Sequence, residues 1–263
     1  MKRSPIMYVM QEAVHKASKG LVRDFFEIES LQVSSKGTND FVSIADERTE
    51  QLLFDELHKA RPDYHFLMEE RGEVAGKDSC PYRFIVDPLD GTINFLHGMP
   101  QFCITVALEQ THANGQKEII AAVTKAPILK ELYFAEKGQG TWFEDANGKR
   151  SRLRVANRNS LDQTLIYAGS LKQDLDWVAP LHQQVPGIRC LGTTALALAY
   201  LSAGQMDAFI QRQPKLWDVA AGLLLVKEAG GIIQYDPHNN EQSTSDYVIA
   251  ANSKLFDQLR VVL

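Results

Sequence analysis

Cysteine is scarce in this chain: three residues in 263, at Cys80, Cys103 and Cys190. They lie far apart. They form neither a metal-ligand spacing nor a disulfide framework, which favours a reducing, cytoplasmic setting. Each reads as a small apolar residue, buried or half-buried. Long apolar runs are missing too. No stretch reaches the roughly 18 residues of a membrane span, so none is expected. The basic start, Met1-Lys-Arg-Ser-Pro-Ile-Met7, leads into Gln11, Glu12, His15 and Lys16 and not into the apolar stretch of a signal peptide. Charge of one sign is also lacking: 28 basic and 33 acidic residues leave a net −5. That excludes a global attraction to nucleic acid or an anionic membrane, and no direct nucleic-acid contact is expected. Internal repeats and low-complexity segments are absent.

What remains is the balance of an ordinary globular chain, with 44% hydrophobic and 23% charged residues. Its length allows one large domain or two small ones. Apolar residues spaced by three and four predict a helix over 6–29, through Met10, Val14, Ala17, Leu21, Phe25 and Ile28. A second helix is predicted over 44–60, with Ile44, Leu52, Leu53, Leu57 and Ala60 on one face. Strands follow near 64–68, 82–86, 102–108, 118–124 and 131–135. The segment Glu144-Asp-Ala-Asn-Gly-Lys149 carries an Asn-Gly turn signal suited to joining two strands. A boundary is placed there, giving parts 1–145 and 146–263. In the second part, strands near 164–168, 206–211, 231–235 and 247–250 alternate with helices near 174–184, 193–203, 218–229 and 253–262. The pattern is layered α/β.

Three acidic segments carry the chemistry. The apolar run Tyr82-Arg-Phe-Ile-Val86 leads into Asp87-Pro-Leu-Asp-Gly-Thr-Ile-Asn-Phe95. Pro88 is expected to end the strand in a turn. Asp87 and Asp90 then sit at a strand end, and Gly91 and Thr92 open the next segment with outward N–H groups. Carboxylates bind a hard cation such as Mg²⁺, and N–H groups bind phosphate oxygens. Asp-Gly and Pro-X-Asp also form plain turns, and by itself this stretch leaves the two readings about even. The second segment, Phe66-Leu-Met-Glu-Glu-Arg-Gly72, ends an apolar stub in Glu69-Glu70. The third begins Leu216-Trp-Asp-Val-Ala-Ala-Gly222, with Asp218 where a helix N-cap belongs. A solvated loop and a simple cap are the plainer readings of these two. Together the three supply the several oxygen ligands of a multi-metal Mg²⁺ site.

At these residues the chain resembles the inositol monophosphatase family. Glu69-Glu70, Asp87–Phe95 and Trp217-Asp-Val-Ala-Ala-Gly222 are similar to its three signatures in order and spacing. Lys36-Gly-Thr-Asn-Asp-Phe-Val42 with Asp46, Gly192-Thr193 and Glu228-Ala-Gly-Gly231 add to the likeness, which covers nearly the whole chain and is nearest the bacterial SuhB-type branch. The resemblance implies an αβαβα sandwich and hydrolysis of myo-inositol monophosphate with two or three Mg²⁺ ions, lithium sensitivity and a homodimer. It implies one metal on Glu69, Asp87 and the Leu89 carbonyl, and another on Asp87, Asp90 and Asp218. It implies water as nucleophile, Thr92 as its orienter and Asp46 as the group that accepts from the threonine hydroxyl. For Asp46 the residues alone favour a helix N-terminal charge.

On the substrate side the resemblance implies phosphate contacts from Gly91 and Thr92, and polyol contacts from Gly192, Thr193, Asp90 and Asp218. Lys36 is placed near the phosphate entrance, or as a solvated lysine. One departure stands out. Many members carry a glutamate on the strand before the Trp-Asp motif, where this chain has Gln211. An amide still bonds a hydroxyl, without charge-assisted strength. Arg212, Lys215 and Lys172 are read either as favouring a second anionic group or as solvated charges. Two alternatives remain beside inositol monophosphate. One keeps the chemistry on histidinol phosphate, fructose 1,6-bisphosphate or 3′-phosphoadenosine 5′-phosphate. The other is a SuhB-like contact with RNA polymerase or antitermination factors.

Overall fold

The computed structural model describes residues 4–31, 38–169, 178–235 and 247–262. Two helices come first, α1 (Pro5–Leu31) and α2 (Thr38–Ala60). Strands β1 (His65–Met68), β2 (Gly72–Val74) and β3 (Tyr82–Asp90) follow, then a short helix α3 (Thr92–Leu96). Next come β4 (Cys103–Thr111), β5 (Lys117–Ala126), β6 (Glu131–Glu136), β7 (Gly140–Glu144) and β8 (Arg150–Arg152). The rest runs β9 (Leu165–Ala168), α4 (Ala179–His182), β10 (Gly187–Arg189), α5 (Thr194–Ser202) and β11 (Ala208–Arg212). It ends with α6 (Leu216–Glu228), β12 (Ile232–Gln234), β13 (Tyr247–Ala251) and α7 (Ser253–Val262). The first sheet is ordered β2-β1-β3-β4-β5-β6-β7-β8 and the second β10-β9-β11-β13-β12.

Alternation of side-chain size sorts these elements into five layers. On β3, β4 and β5 one face carries Phe84, Val86, Ile104, Val106, Leu108 and Val123, which pack against Met7, Met10, Val14 and Leu21 of α1 and Leu53 and Leu57 of α2. The other face carries Ile85 and several smaller residues, Cys103, Ala107 and Ala122, joined by Tyr133 and Ala135 of β6, and meets Ala195 and Ala199 of α5 and Ala220 and Ala221 of α6. Those two helices turn Leu198, Leu201, Val219 and Val226 the other way, onto Tyr167, Phe209, Val248 and Ala250 of the second sheet. Its far face, with Ile166, Ala208, Ile210 and Ile249, is closed by Leu181 of α4 and by Leu255, Phe256 and Leu259 of α7. The order is therefore αβαβα, as the resemblance implied. Both faces of both sheets are covered, which explains why their strands read as nearly continuous apolar runs. Among the described residues no helix is long and apolar enough to cross a membrane.

The structure corrects several expectations. Pro88 does not end β3. The strand continues to Asp90, which still pairs with Cys103, and the ladder shifts register between Asp87 and Asp90. Proline removes one donor from the ladder without forcing the backbone out of the extended region. The helix expected over 174–184 shrinks to α4, four residues long; positions 174–177 lie outside the described residues. Ile44 is 50% exposed, so it faces away from the core that Ala45 enters. The short β2, β10 and α3 were not foreseen. The turn at 145–149 does join β7 to β8, with Asp145 N–H donating to the Lys149 carbonyl at 3.0 Å.

Close packing of the middle layer yields a test. A Cβ on Gly222 of α6 would lie 2.4 Å from Leu198 Cδ1 and 2.5 Å from Leu198 Cβ on α5. The β-carbon of Leu198 cannot rotate away. Gly222→Val should lower the free energy of unfolding by roughly 2 kcal/mol or more, as overpacking does. Urea titration of the variant measures it, and an unchanged midpoint would show that the helices separate freely.

Candidate active site

Asp87 and Asp90 reach the site from the end of β3, which drives two carboxylates to the junction of the first sheet with the middle helices. Asp87 is 1% exposed, and its Oδ1 accepts from the Leu89 N–H at 2.9 Å. Glu69 follows directly on β1, whose parallel ladder with β3 aligns Met68 with Val86. That register sets Glu69 beside Asp87, and their carboxyls hydrogen-bond to each other. Asp218 is the third residue of α6, not its N-cap as expected; the cap is Lys215, whose N–H donates to Asp218 Oδ2 at 3.2 Å.

Asp90 is held differently. The Thr194 and Ala195 N–H groups donate to it at 3.2 and 2.7 Å, from the first turn of α5. The Thr193 hydroxyl donates to Asp90 as well, so it does not cap its own helix. The Cys103 thiol points at the same oxygen, at 3.7 Å. A helix N-terminus carries partial positive charge and favours a carboxylate there.

Burial is the largest cause that raises these acids, and their mutual repulsion adds to it. Asp87 is pushed well above the usual carboxylate range by burial and then by Asp90, Glu69 and Asp218. Asp218 rises to about 7, through burial and then Asp90. Asp46, on α2, rises to about 8 through burial and then Glu69 and Glu70. Glu69 rises by burial, opposed by its bond to Asp87. Asp90 also rises by burial, opposed first by the Thr193 hydroxyl and then by the α5 N–H groups. One Asp46 oxygen, Oδ1, is buried with no hydrogen-bond partner among the described residues. An all-oxygen set short of counter-charge, with an orphaned buried carboxylate oxygen beside it, fits a hard divalent cation. Among the described residues no three such side chains yet converge on one ion position; Glu69 and Asp87 are closed onto each other.

The structure thus brings together Glu69, Asp87, Asp90, Asp218 and Asp46. Thr92 opens α3, and its hydroxyl donates to the Leu89 carbonyl at 3.1 Å, not to Asp46 as expected. Gly91 precedes it with φ of 99° and a Cβ position 3.0 Å from the Gln101 carbonyl, so only glycine fits that turn. Gly192 and Thr193 lie against the same corner. Gln211 on β11 is buried, and its Oε1 accepts from the Thr194 hydroxyl at 2.9 Å. Lys36 and Lys172 lie outside the described residues. Sequence reasoning missed Asn94, which stood inside a quoted motif. Its amide donates to the Gln101 and Leu191 carbonyls at 2.6 and 2.7 Å and so staples α3 to the approach of α5.

The raised acids set the sign of a pH dependence. Folded values near 7 and 8 at Asp218 and Asp46 exceed the ordinary carboxylate range. Between those ranges the folded protein holds protons that the unfolded chain has released, so stability falls as pH rises. Metal-free protein should melt at progressively lower temperature from about pH 5.5 to 8.5. At the upper end Asp87→Asn should raise the melting temperature by a few degrees, by removing one repelling charge. Thermal melts across this range measure both, and a midpoint that climbs with pH would contradict the assignment.

Residues 2–261 match the sequence profile of the inositol monophosphatase family. An inositol-1-monophosphatase from Mesorhizobium japonicum is 45% identical over 259 residues, covering 96% of this chain and 93% of that protein. The Nus factor SuhB of Escherichia coli is 32% identical over 258 residues, covering 95% of this chain and 92% of that protein. The crystal structure of the extragenic suppressor protein SuhB from Bartonella henselae matches with a TM-score of 0.84 at 42% identity, covering 98% of both chains. Likeness along the whole chain, in sequence and in fold, means that the chain belongs to the inositol monophosphatase family.

Proposed function

We propose that this protein is a Mg²⁺-dependent phosphomonoesterase that hydrolyses myo-inositol monophosphate to inositol and phosphate with water as nucleophile. The observation that carries the reading is the cluster of desolvated, mutually repelling carboxylates at the end of β3. Glu69, Asp87, Asp90, Asp218 and the Leu89 carbonyl would hold the metal. Mg²⁺ bound there would offset phosphate charge, acidify a water and stabilise the leaving alkoxide. The substrate class is supported by the relatives at 43–45% identity, which carry the name inositol-1-monophosphatase, whereas those named Nus factor SuhB stand at 31–37%.

The chain's own residues take the remaining tasks. Thr92 orients the attacking water through its hydroxyl. Asp46 lies within electrostatic reach of Glu69, and its raised basicity near neutrality suits it to accept a proton. Gly91 and Thr92 meet phosphate through their N–H groups. Asp90, fixed by α5, and Gly192 and Thr193 beside it meet the polyol. The Gln211 carbonyl is engaged by Thr194, so its amide N–H₂ is the end left to face a substrate hydroxyl.

A panel of phosphate esters assayed with and without Mg²⁺ tests the reading. Turnover of inositol monophosphate should require Mg²⁺ and exceed that of histidinol phosphate. Asp87→Asn should nearly abolish it while the protein stays folded; a pure variant with near wild-type activity would sink the site assignment. Thr92→Ala should lower kcat by roughly 10²-fold, with KM less affected because backbone donors remain. A KM that rises at constant kcat would reduce Thr92 to ground-state binding. Gln211→Glu should shift the kcat/KM ratio of inositol monophosphate over glycerol 2-phosphate several-fold, the scale of about 1 kcal/mol for a charged over a neutral hydrogen bond. An unchanged ratio would remove Gln211 from the substrate side.

A further inference from the structure

Behind the carboxylate cluster lies one more buried acid, outside the set proposed to touch metal or substrate. Glu50 is on α2, one turn beyond Asp46, and is 1% exposed. Its Oε2 accepts from the Glu70 N–H at 2.9 Å. Its Oε1 lies 3.4 Å from Arg71 Nε, and the Arg71 backbone N–H donates to the same carboxylate. The Arg71 guanidinium also donates to Gln51 Oε1 and sits over the Phe54 ring, 4.9 Å from its centroid. Glu50, Gln51 and Phe54 thus present one stretch of α2 to the turn that follows β1.

Glu69 is the single residue between two anchors. On one side Met68 is fixed by the ladder to Val86. On the other, Glu70 and Arg71 are fixed by Glu50. Turns are otherwise the loosest part of a sheet protein, and a ligand on a loose turn loses affinity through misplacement. Burying a carboxylate to hold two backbone N–H groups is a costly device for a surface turn, since burial disfavours the charge.

We propose that Glu50 is a positioning residue: it acts through the backbone of Glu70 and Arg71 to set the approach of the Glu69 carboxylate to the metal site. The inference rests on the reading of Glu69 as a metal ligand. Glu50 itself touches neither substrate nor metal. Removing it should free the turn, and Mg²⁺ affinity should fall before the fold does.

Glu50→Ala and Glu50→Gln, in the full chain, test this against wild type. Mg²⁺ affinity is measured by calorimetry on metal-stripped protein. Amide exchange at Glu70 and Arg71 and the melting temperature are measured without metal. Glu50→Ala should weaken Mg²⁺ binding by about 10–100-fold, the usual effect of losing a ligand's support, and should speed exchange at Glu70 and Arg71. Glu50→Gln keeps one acceptor oxygen and should fall between Ala and wild type. At saturating Mg²⁺, kcat should drop less than the half-saturating Mg²⁺ concentration rises. A variant that melts lower yet binds Mg²⁺ like wild type would overturn the proposal, because a purely structural carboxylate moves stability alone. Should Glu50→Ala fail to fold, Glu50→Gln decides by the same comparison. Wild-type protein that binds no Mg²⁺ would overturn both this inference and the proposed function. Wild type that binds Mg²⁺ but hydrolyses no ester would remove only the latter, with affinity and exchange still deciding the role of Glu50.

Discussion

Repulsion between desolvated carboxylates is the constraint around which the proposed site is arranged. Asp87, Asp90, Glu69 and Asp218 reach one corner from β3, from the end of β1 and from α6; burial raises all four above the ordinary carboxylate range, and the charge of Asp90 raises Asp87, Glu69 and Asp218 further. Such a corner costs stability in the absence of counter-charge, since each charge is taken out of water beside its like. The fold tolerates it because the acids are carried on elements held by large cores elsewhere: α1 and α2 on one face of the first sheet, α5 and α6 on the other.

The middle layer serves two ends at once. Small side chains on α5, on α6 and on the facing side of the first sheet let backbone approach backbone, down to a glycine at the crossing with Leu198. That closeness brings the first turns of both helices to the ends of the strands. The α5 turn then spends its unpaired N–H groups on Asp90, and the α6 turn carries Asp218. Packing and chemistry are thus coupled through the same short side chains, and a residue such as Gly222 bears on the site from within the core.

Much of this was legible in the sequence. Helical spacing through Met10, Val14, Ala17, Leu21 and Phe25 predicted α1, and the apolar run at 102–108 predicted β4, because both are read from a long, regular pattern. The motifs named the carboxylates that the fold draws together. What stayed hidden was contact between distant segments. Nothing local marks the Thr194 hydroxyl as the partner of Gln211, Asn94 as a staple between α3 and the approach of α5, or Glu50 as the clamp on Glu70. Each is a polar group satisfied by a partner on another element, 17 residues away for Thr194 and Gln211, 20 for Glu50 and Glu70 and 97 for Asn94 and Leu191, and burial, not periodicity, selects it. Short elements were missed for the opposite reason: β2 and β10 have three residues each, too few for a period to show. Pro88 misled because a missing donor interrupts a ladder without ending a strand.

Two aspartates three residues apart on β3 end up in contrasting electrostatic states. Asp87 gains one backbone N–H and faces three acids, so its charge is poorly supported by protein alone. Asp90 receives the Thr193 hydroxyl and two α5 N–H groups, so much of its charge is balanced from within the chain. Of the two, Asp87 is the one whose charge the protein itself supports least. Asp90 is already pinned and oriented, and it ties the metal side of the proposed site to Thr193 and, through Thr194, to Gln211 on the polyol side. A change at Gln211 is therefore transmitted toward Asp90 through one hydroxyl and one backbone N–H of the same residue, Thr194. The proposed polyol side and the placement of Asp90 meet at that residue, whereas Asp87 lies on the other side of the register shift.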